Sequence, residues 1–255
     1  MLLKLQKGIL YGPVNSRRYG KSLGINLMPA EKKLCSFNCV YCHYGTTKRC
    51  TMNIDQYSVE LPDIDEVVKK LEKKLKTDVE LDLITFSGNG EPTLYPDFAD
   101  LVEEVAELRG KYRPDARIAL LSNSSGLIYD DVVDSLDMID LPVLKLDAGN
   151  EDTFRAVNRP TRSVRFEEIF EKLFSLDGIY LQTVFVDGEP TNITRSDLKD
   201  YIESVGRIKP QEIHLYSIDR PVPNTKISLV LPEKLKRLAS RIKKETGITA
   251  RAFYG

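Results

Sequence analysis

The sequence predicts an α/β fold, a partial (β/α)6 TIM-like barrel of parallel strands with outer helices. Three observations carry this. Apolar runs of strand length alternate with charged stretches of helical period along the whole chain. The runs are apolar on both faces, as strands covered on both sides must be. About six strand–helix units fit into 255 residues, too few for a closed eight-fold barrel with ordinary loops and suited to an open one.

The predicted strands, in order, are "SLGINLMP", "LDLITFSG", "ARIALLSN", "LPVLKLDA", "GIYLQTVFVDG" and "EIHLYSIDR". Helices are predicted at "PDIDEVVKKLEKKLK", "PDFADLVEEVAELR", "RFEEIFEKLFSL", "TRSDLKDYIESVGRI" and "PEKLKRLASRIKKE". The first of these shows why: Ile64, Val67, Val68, Leu71 and Leu75 recur at helical spacing with lysines opposite. No repeat or linker interrupts the pattern, so residues 1–255 are expected to form a single domain. In such folds reactive groups gather where strands end and loops begin, and every polar motif below follows a predicted strand or lies just before one.

Composition sets limits. The chain is 42% hydrophobic, and 37 basic residues nearly balance 38 acidic ones. A nucleic-acid partner therefore has no support from net charge, although a local basic patch remains compatible with it. No run approaches the ~18 apolar residues of a membrane span, and the N-terminal stretch lacks a secretory pattern. A cytoplasmic, membrane-free protein is expected.

Cysteine use is the sharpest feature. Of four cysteines, Cys35, Cys39 and Cys42 fall in "LCSFNCVYC", spaced Cys-x3-Cys-x2-Cys. Disulfide frameworks spread their cysteines, whereas a cluster of this kind points to metal in a reducing compartment. The spacing lets three sulfurs reach three corners of a cubane iron–sulfur core, leaving one iron open. Alternatively Cys50 completes a four-cysteine zinc or electron-transfer site. His43 is a further candidate ligand, or simply a loop side chain.

Other strand ends carry candidates of their own. In "KLDAGN", Lys145 and Asp147 lie on one strand face amid apolar neighbours. A charged pair there is costly unless paired or used, so the reading is either a buried salt bridge or a catalytic pair. Asn158 and Arg159 in "FRAVNRP", and Gln182 on the next strand, are candidate substrate contacts. Arg17 and Arg18 suit a carboxylate or phosphate clamp, or pairing with surface acids. His214 and Tyr216 share a face of the last clear strand, with Asp219 and Arg220 at its end. A proton- or hydrogen-donor role there competes with core hydrogen bonding for His214.

Cys35-x3-Cys39-x-Tyr41-Cys42 resembles the signature of the radical S-adenosylmethionine (SAM) superfamily. The resemblance implies one four-iron four-sulfur cluster whose open iron is chelated by SAM. One electron then yields methionine and a 5′-deoxyadenosyl radical, which abstracts hydrogen from a substrate. "SGNGEP" resembles the superfamily's Gly-Gly-Glu-Pro loop with Asn89 inserted, which places Gly88, Gly90 and Glu91 against the methionine amine. Ser122 and Asn123 are implied contacts of the SAM ribose or carboxylate, ordinary capping being the other reading. The expected electron donor is a flavodoxin or ferredoxin.

Nearly the whole chain is similar to the radical SAM group that contains the archaeal wyosine-base enzymes and many bacterial relatives. Those enzymes modify a guanine in tRNA and hold a second cluster on cysteines upstream of the SAM loop. No cysteine precedes Cys35 here. That departure argues against the wyosine reaction, and tRNA-base modification stays a second reading that requires a basic surface. The non-enzymatic alternative is the four-cysteine protein using Cys50.

Overall fold

The structure, a computed structural model, describes residues 2–16 and 18–254, so Arg17 of the predicted clamp lies outside the described residues. The chain forms two compact units. The first comprises Leu5–Cys35 and Thr51–Pro142, and the second Met1–Lys4, Ser36–Cys50 and Val143–Gly255.

The first unit contains β1 (Leu10–Ser16), β2 (Gly20–Ile25), α1 (Ile64–Leu75), β3 (Leu83–Phe86), α2 (Phe98–Tyr112), β4 (Arg117–Ser122) and α3 (Asp130–Ser135). Strands β2, β3 and β4 run parallel, with Ile25 beside Phe86 and Phe86 beside Leu120. All four residues of β3 are buried, as a strand covered on both faces requires. Helix α1 starts where the Asp63 side chain accepts the Asp65 N–H, and of the stripe read from the sequence it buries Val67, Leu71 and Leu75, with Ile64 and Val68 half-buried. In α2, Phe98 meets Phe86 edge-on at 5.3 Å.

Strand β1 pairs antiparallel with β2 and was not predicted. Its residues, LYGPVNS, are largely exposed and include a Gly-Pro step, so no period-2 pattern marks it. The short helix α3, six residues long, likewise offers too little periodicity to read.

The second unit continues from β5 (Leu141–Lys145) through α4 (Glu151–Asn158), α5 (Phe166–Ser175), β6 (Tyr180–Val184), β7 (Val186–Gly188), α6 (Arg195–Ile208), β8 (Glu212–Tyr216), β9 (Ile227–Leu229), α7 (Pro232–Thr246) and β10 (Ala250–Ala252). Strands β5, β6, β8 and β10 are parallel neighbours, which aligns Lys145, Gln182, His214 and Arg251 in one row. The run predicted as one strand at Gly178–Gly188 is two. It breaks at the buried Phe185, which packs edge-on against Tyr201 at 5.3 Å. Beyond the break, β7 pairs antiparallel with β9 as a separate ribbon.

Helix α4 is an eight-residue element in the segment read only for its polar residues. Asn150 caps it by accepting the Thr153 N–H, and Arg159 ends it in the left-handed region at φ 47°. Part of this unit's core is built from the cysteine loop itself. Val40 and Tyr41 pack with Val157, Val184, Val186 and Ile227, with Cys39 partly buried against them. No helix among the described residues is long and apolar enough to cross a membrane.

Candidate active site

The chain passes from the first unit to the second between Cys35 and Ser36, so each unit holds its own signature cysteines. In the first, the glycine loop after β3 grips the residue before Cys35. Leu34 N–H donates to Asn89 O (3.1 Å) and Glu91 N–H to Leu34 O (3.1 Å). This close crossing requires glycine: a Cβ on Gly90, whose φ is 159°, would sit 1.5 Å from Leu34 O.

Asn89, the departure from the family pattern, is fully buried. Its Oδ1 accepts Gln6 N–H (2.7 Å), and its Nδ2 donates to Gln6 O (2.8 Å) and Pro29 O (2.9 Å). Asn26 completes the cradle, its Oδ1 accepting Asn89 N–H at 2.8 Å. Asn26 was not singled out from sequence; a lone Asn in the apolar run "LGINL" was the available signal.

Glu91 is buried beneath this loop. Its carboxylate accepts from Thr93 N–H (3.2 Å), Thr93 Oγ1 (2.7 Å), Ser122 Oγ (2.7 Å) and Asn123 N–H (2.6 Å). Burial pushes its pKa up, and these donors oppose the shift. Ser122 and Asn123 thereby tie the ends of β3 and β4 together. Asn123 also donates through Nδ2 to Cys35 Sγ at 3.4 Å, while its Oδ1 accepts Ser125 N–H at 2.9 Å.

In the second unit, Asp147 is the hub. Its side chain is wholly buried and accepts from the Tyr41 hydroxyl, from Asn158 Nδ2 (2.6 Å) and from Val184 N–H (2.7 Å). Asn158 Nδ2 also stands 3.5 Å from Cys39 Sγ. Asn192, another residue not singled out, donates to Asp147 O (2.8 Å) and Val184 O (2.9 Å). Lys145 Nζ is 4.0 Å from Asp147 Oδ2 and 5.4 Å from the Tyr41 ring centre. The pair read from "KLDAGN" is therefore joined, with Asp147 held chiefly by hydrogen bonds and Lys145 as its cation.

Burial, reinforced by the Asp147 carboxylate, pushes the Cys39 thiol up to about 11. A thiol so placed keeps its proton at neutral pH unless a cation replaces it.

The remaining candidates are dispersed. Arg18 lies in the turn between β1 and β2, at the start of β2 rather than at its loop-bearing end. Its neighbour Tyr19 sits under Arg117, the first residue of β4. A six-residue strand spans about 20 Å, so Arg18 is remote from the cysteine and glycine loops of its own unit. Gln182 is half-buried in the row between Lys145 and His214. His214 is a core residue: it stacks on Tyr180, meets Phe253 edge-on and stands 3.2 Å from Glu212 Oε1. His43 faces Asp219 at 3.5 Å, and Arg159 is exposed beside Cys39 on one cavity wall.

None of the four cysteines is in a disulfide among the described residues. Among the described residues no three His, Cys, Asp or Glu side chains already stand in metal-holding geometry, so spacing defines the donor set. The surroundings fit an iron–sulfur group. Amide N–H donors approach two of the three signature sulfurs, as thiolate ligands favour.

Comparison with known proteins defines the class. The radical SAM superfamily profile matches residues 33–192, and the chain belongs to that superfamily. A UPF0026 protein of Synechocystis is 33% identical over 220 residues, covering 84% of this chain and 77% of that protein. A protein named GTPase Obg from Brachyspira hyodysenteriae is 32% identical over 240 residues, 92% of this chain but 33% of that protein. This chain thus spans only about a third of the latter relative.

A radical SAM methyltransferase from Sphaerobacter thermophilus superposes with a TM-score of 0.65 at 15% identity, over 91% of this chain and 66% of that one. SuiB of Streptococcus suis bound to S-adenosylmethionine gives 0.62 at 17%, over 91% and 50%. At these identities the likeness is one of fold, and the fold is the α/β one read from the sequence. Superfamily membership makes the chain an enzyme and implies SAM and an iron–sulfur cluster as its cofactors.

Proposed function

We propose that this chain is a single-cluster radical SAM enzyme in which Cys35, Cys39 and Cys42 hold a four-iron four-sulfur cluster. The observation that carries it is the Cys-x3-Cys-x2-Cys loop lying within the family match. Bound together and reduced by a flavodoxin or ferredoxin, the cluster and SAM supply a 5′-deoxyadenosyl radical for hydrogen abstraction.

The chain's own groups then divide by task. Asn123 and Asn158 set N–H donors on Cys35 and Cys39 and steady the sulfurs. Gly88, Gly90 and Glu91 shape the wall for the methionine amine, Glu91 through the loop it braces because its oxygens already take four donors. Ser122 and Asn123 belong to the same wall. Asp147 is a positioning residue that ties Tyr41 of the cysteine loop to β5 and β6. Lys145, with its side chain 16% exposed, is the candidate to meet substrate, joined by Gln182 and Arg159. Arg18 is left out on its position. GTP hydrolysis is not carried over from the Brachyspira relative: Gly20-Lys21-Ser22 has Asn15 where a phosphate-binding loop needs its first glycine.

The test is anaerobic reconstitution with iron and sulfide, reduction in the presence of SAM, and chromatography for 5′-deoxyadenosine. Formation above a cluster-free control is expected. An intact reduced cluster that yields none, with an electron paramagnetic resonance spectrum unmoved by SAM, would overturn the proposal.

A further inference from the structure

The second unit bears an open cavity of about 490 Å³ with Cys39 in its wall, a volume suited to a small ligand. None of the residues assigned to SAM lines it. On the cysteine side stand Asn38, Thr46 and Arg159; on the other, Glu189 after β7 and Lys226 before β9. Both walls are fixed by backbone. Asn38 N–H donates to Asn158 O and Arg159 O, each at 3.1 Å, and Glu189 N–H to Lys226 O at 3.1 Å.

The polar groups are mostly donors. Asn38 Oδ1 is taken by Thr47 N–H at 2.8 Å, which leaves its Nδ2 for the cavity. The Arg159 guanidinium makes no hydrogen bond or ion pair among the described residues, although its backbone is locked left-handed at φ 47°. Lys226 Nζ stands 3.7 Å from Glu189 Oε2. Two cations and the Asn38 amide thus line the cavity with a single carboxylate, and a guanidinium supplies the paired N–H donors that a phosphate or carboxylate accepts.

We propose that this cavity receives an anionic group, phosphate or carboxylate, of a small-molecule substrate. Arg159 and Lys226 are its cations and Asn38 a neutral donor. The inference rests on the radical SAM reading: Cys39 in the wall would put the rest of such a substrate next to the cluster loop.

The test uses the anaerobically reconstituted full chain. Orthophosphate and malonate are titrated separately by calorimetry at constant ionic strength in chloride. One of the two is expected to bind saturably, and which one distinguishes a phosphate from a carboxylate site. Arg159→Gln and Lys226→Gln should each weaken it about tenfold or more. Arg165→Gln, whose cation pairs with Glu168 at the surface, should leave it unchanged. Lys226→Gln decides alone if the residue 159 variant fails to fold. No binding of either anion above chloride, or binding undiminished in the two variants, would overturn the inference. 5′-Deoxyadenosine is assayed in the same samples. SAM cleavage without anion binding removes this inference alone, and anion binding without SAM cleavage removes the radical reading while leaving the anion site.

Discussion

Asn123 and Asn158 were read from the sequence as ligand contacts, and the structure turns both toward cysteine sulfur, at 3.4 and 3.5 Å. Hydrogen bonds to thiolate sulfur favour the more negative, reduced cluster. Asn123→Ala is therefore expected to lower the reduction potential by on the order of tens of millivolts, read by a redox titration followed by paramagnetic resonance, with iron content unchanged. An unmoved potential would reduce Asn123 to a loop brace. Asp147→Asn makes a different prediction. Its carboxylate faces donors on Tyr41, Asn158 and Val184 and the Lys145 cation, and an amide NH2 would confront one of them. A loss of about 2 kcal/mol is expected in urea unfolding, the usual cost of stranding a buried polar group; an unchanged midpoint would show that the hub can rearrange.

The loop after β3 is the element that places Cys35, and it does so through one glycine and one asparagine. Gly90→Ala would drive a Cβ into Leu34 O, so loss of the Leu34–Gly90 bridge and failure to retain iron are expected. The sharper experiment is Asn89→Gly, which leaves a run of three glycines before Glu91. Three buried contacts to Gln6 and Pro29 would go with the side chain, and about 2–3 kcal/mol of stability with them. A variant as stable as the parent would show that Asn89 is incidental. The same element explains a limit of pattern reading. "SGNGEP" announces a glycine turn, but which backbone the glycines must let past is a long-range fact.

At the scale of the whole molecule the open question is which thiols carry the metal. Cys39→Ser and Cys35→Ser are expected to abolish reconstitution of the iron–sulfur absorbance, whereas Cys50→Ser should keep it; loss in the Cys50 variant would restore the four-cysteine reading. The alternation of strands and helices was legible because strands with both faces covered are apolar throughout, while the helices keep one charged face. Five helices and the parallel strands except β10 followed from that. Elements too short or too exposed for a period, such as α3, α4 and β1, did not, and neither did the break at Phe185, set by packing against Tyr201.

The sequence by itself determined the class of protein, because ligand spacing along a loop and hydrophobic period are local and survive in one dimension. Only the tertiary structure decided what the polar residues at the strand ends do. Burial and hydrogen-bond partners join residues far apart in the chain, and they turn Asp147 and Glu91 into braces while leaving Arg159, unpaired among the described residues, beside a cavity.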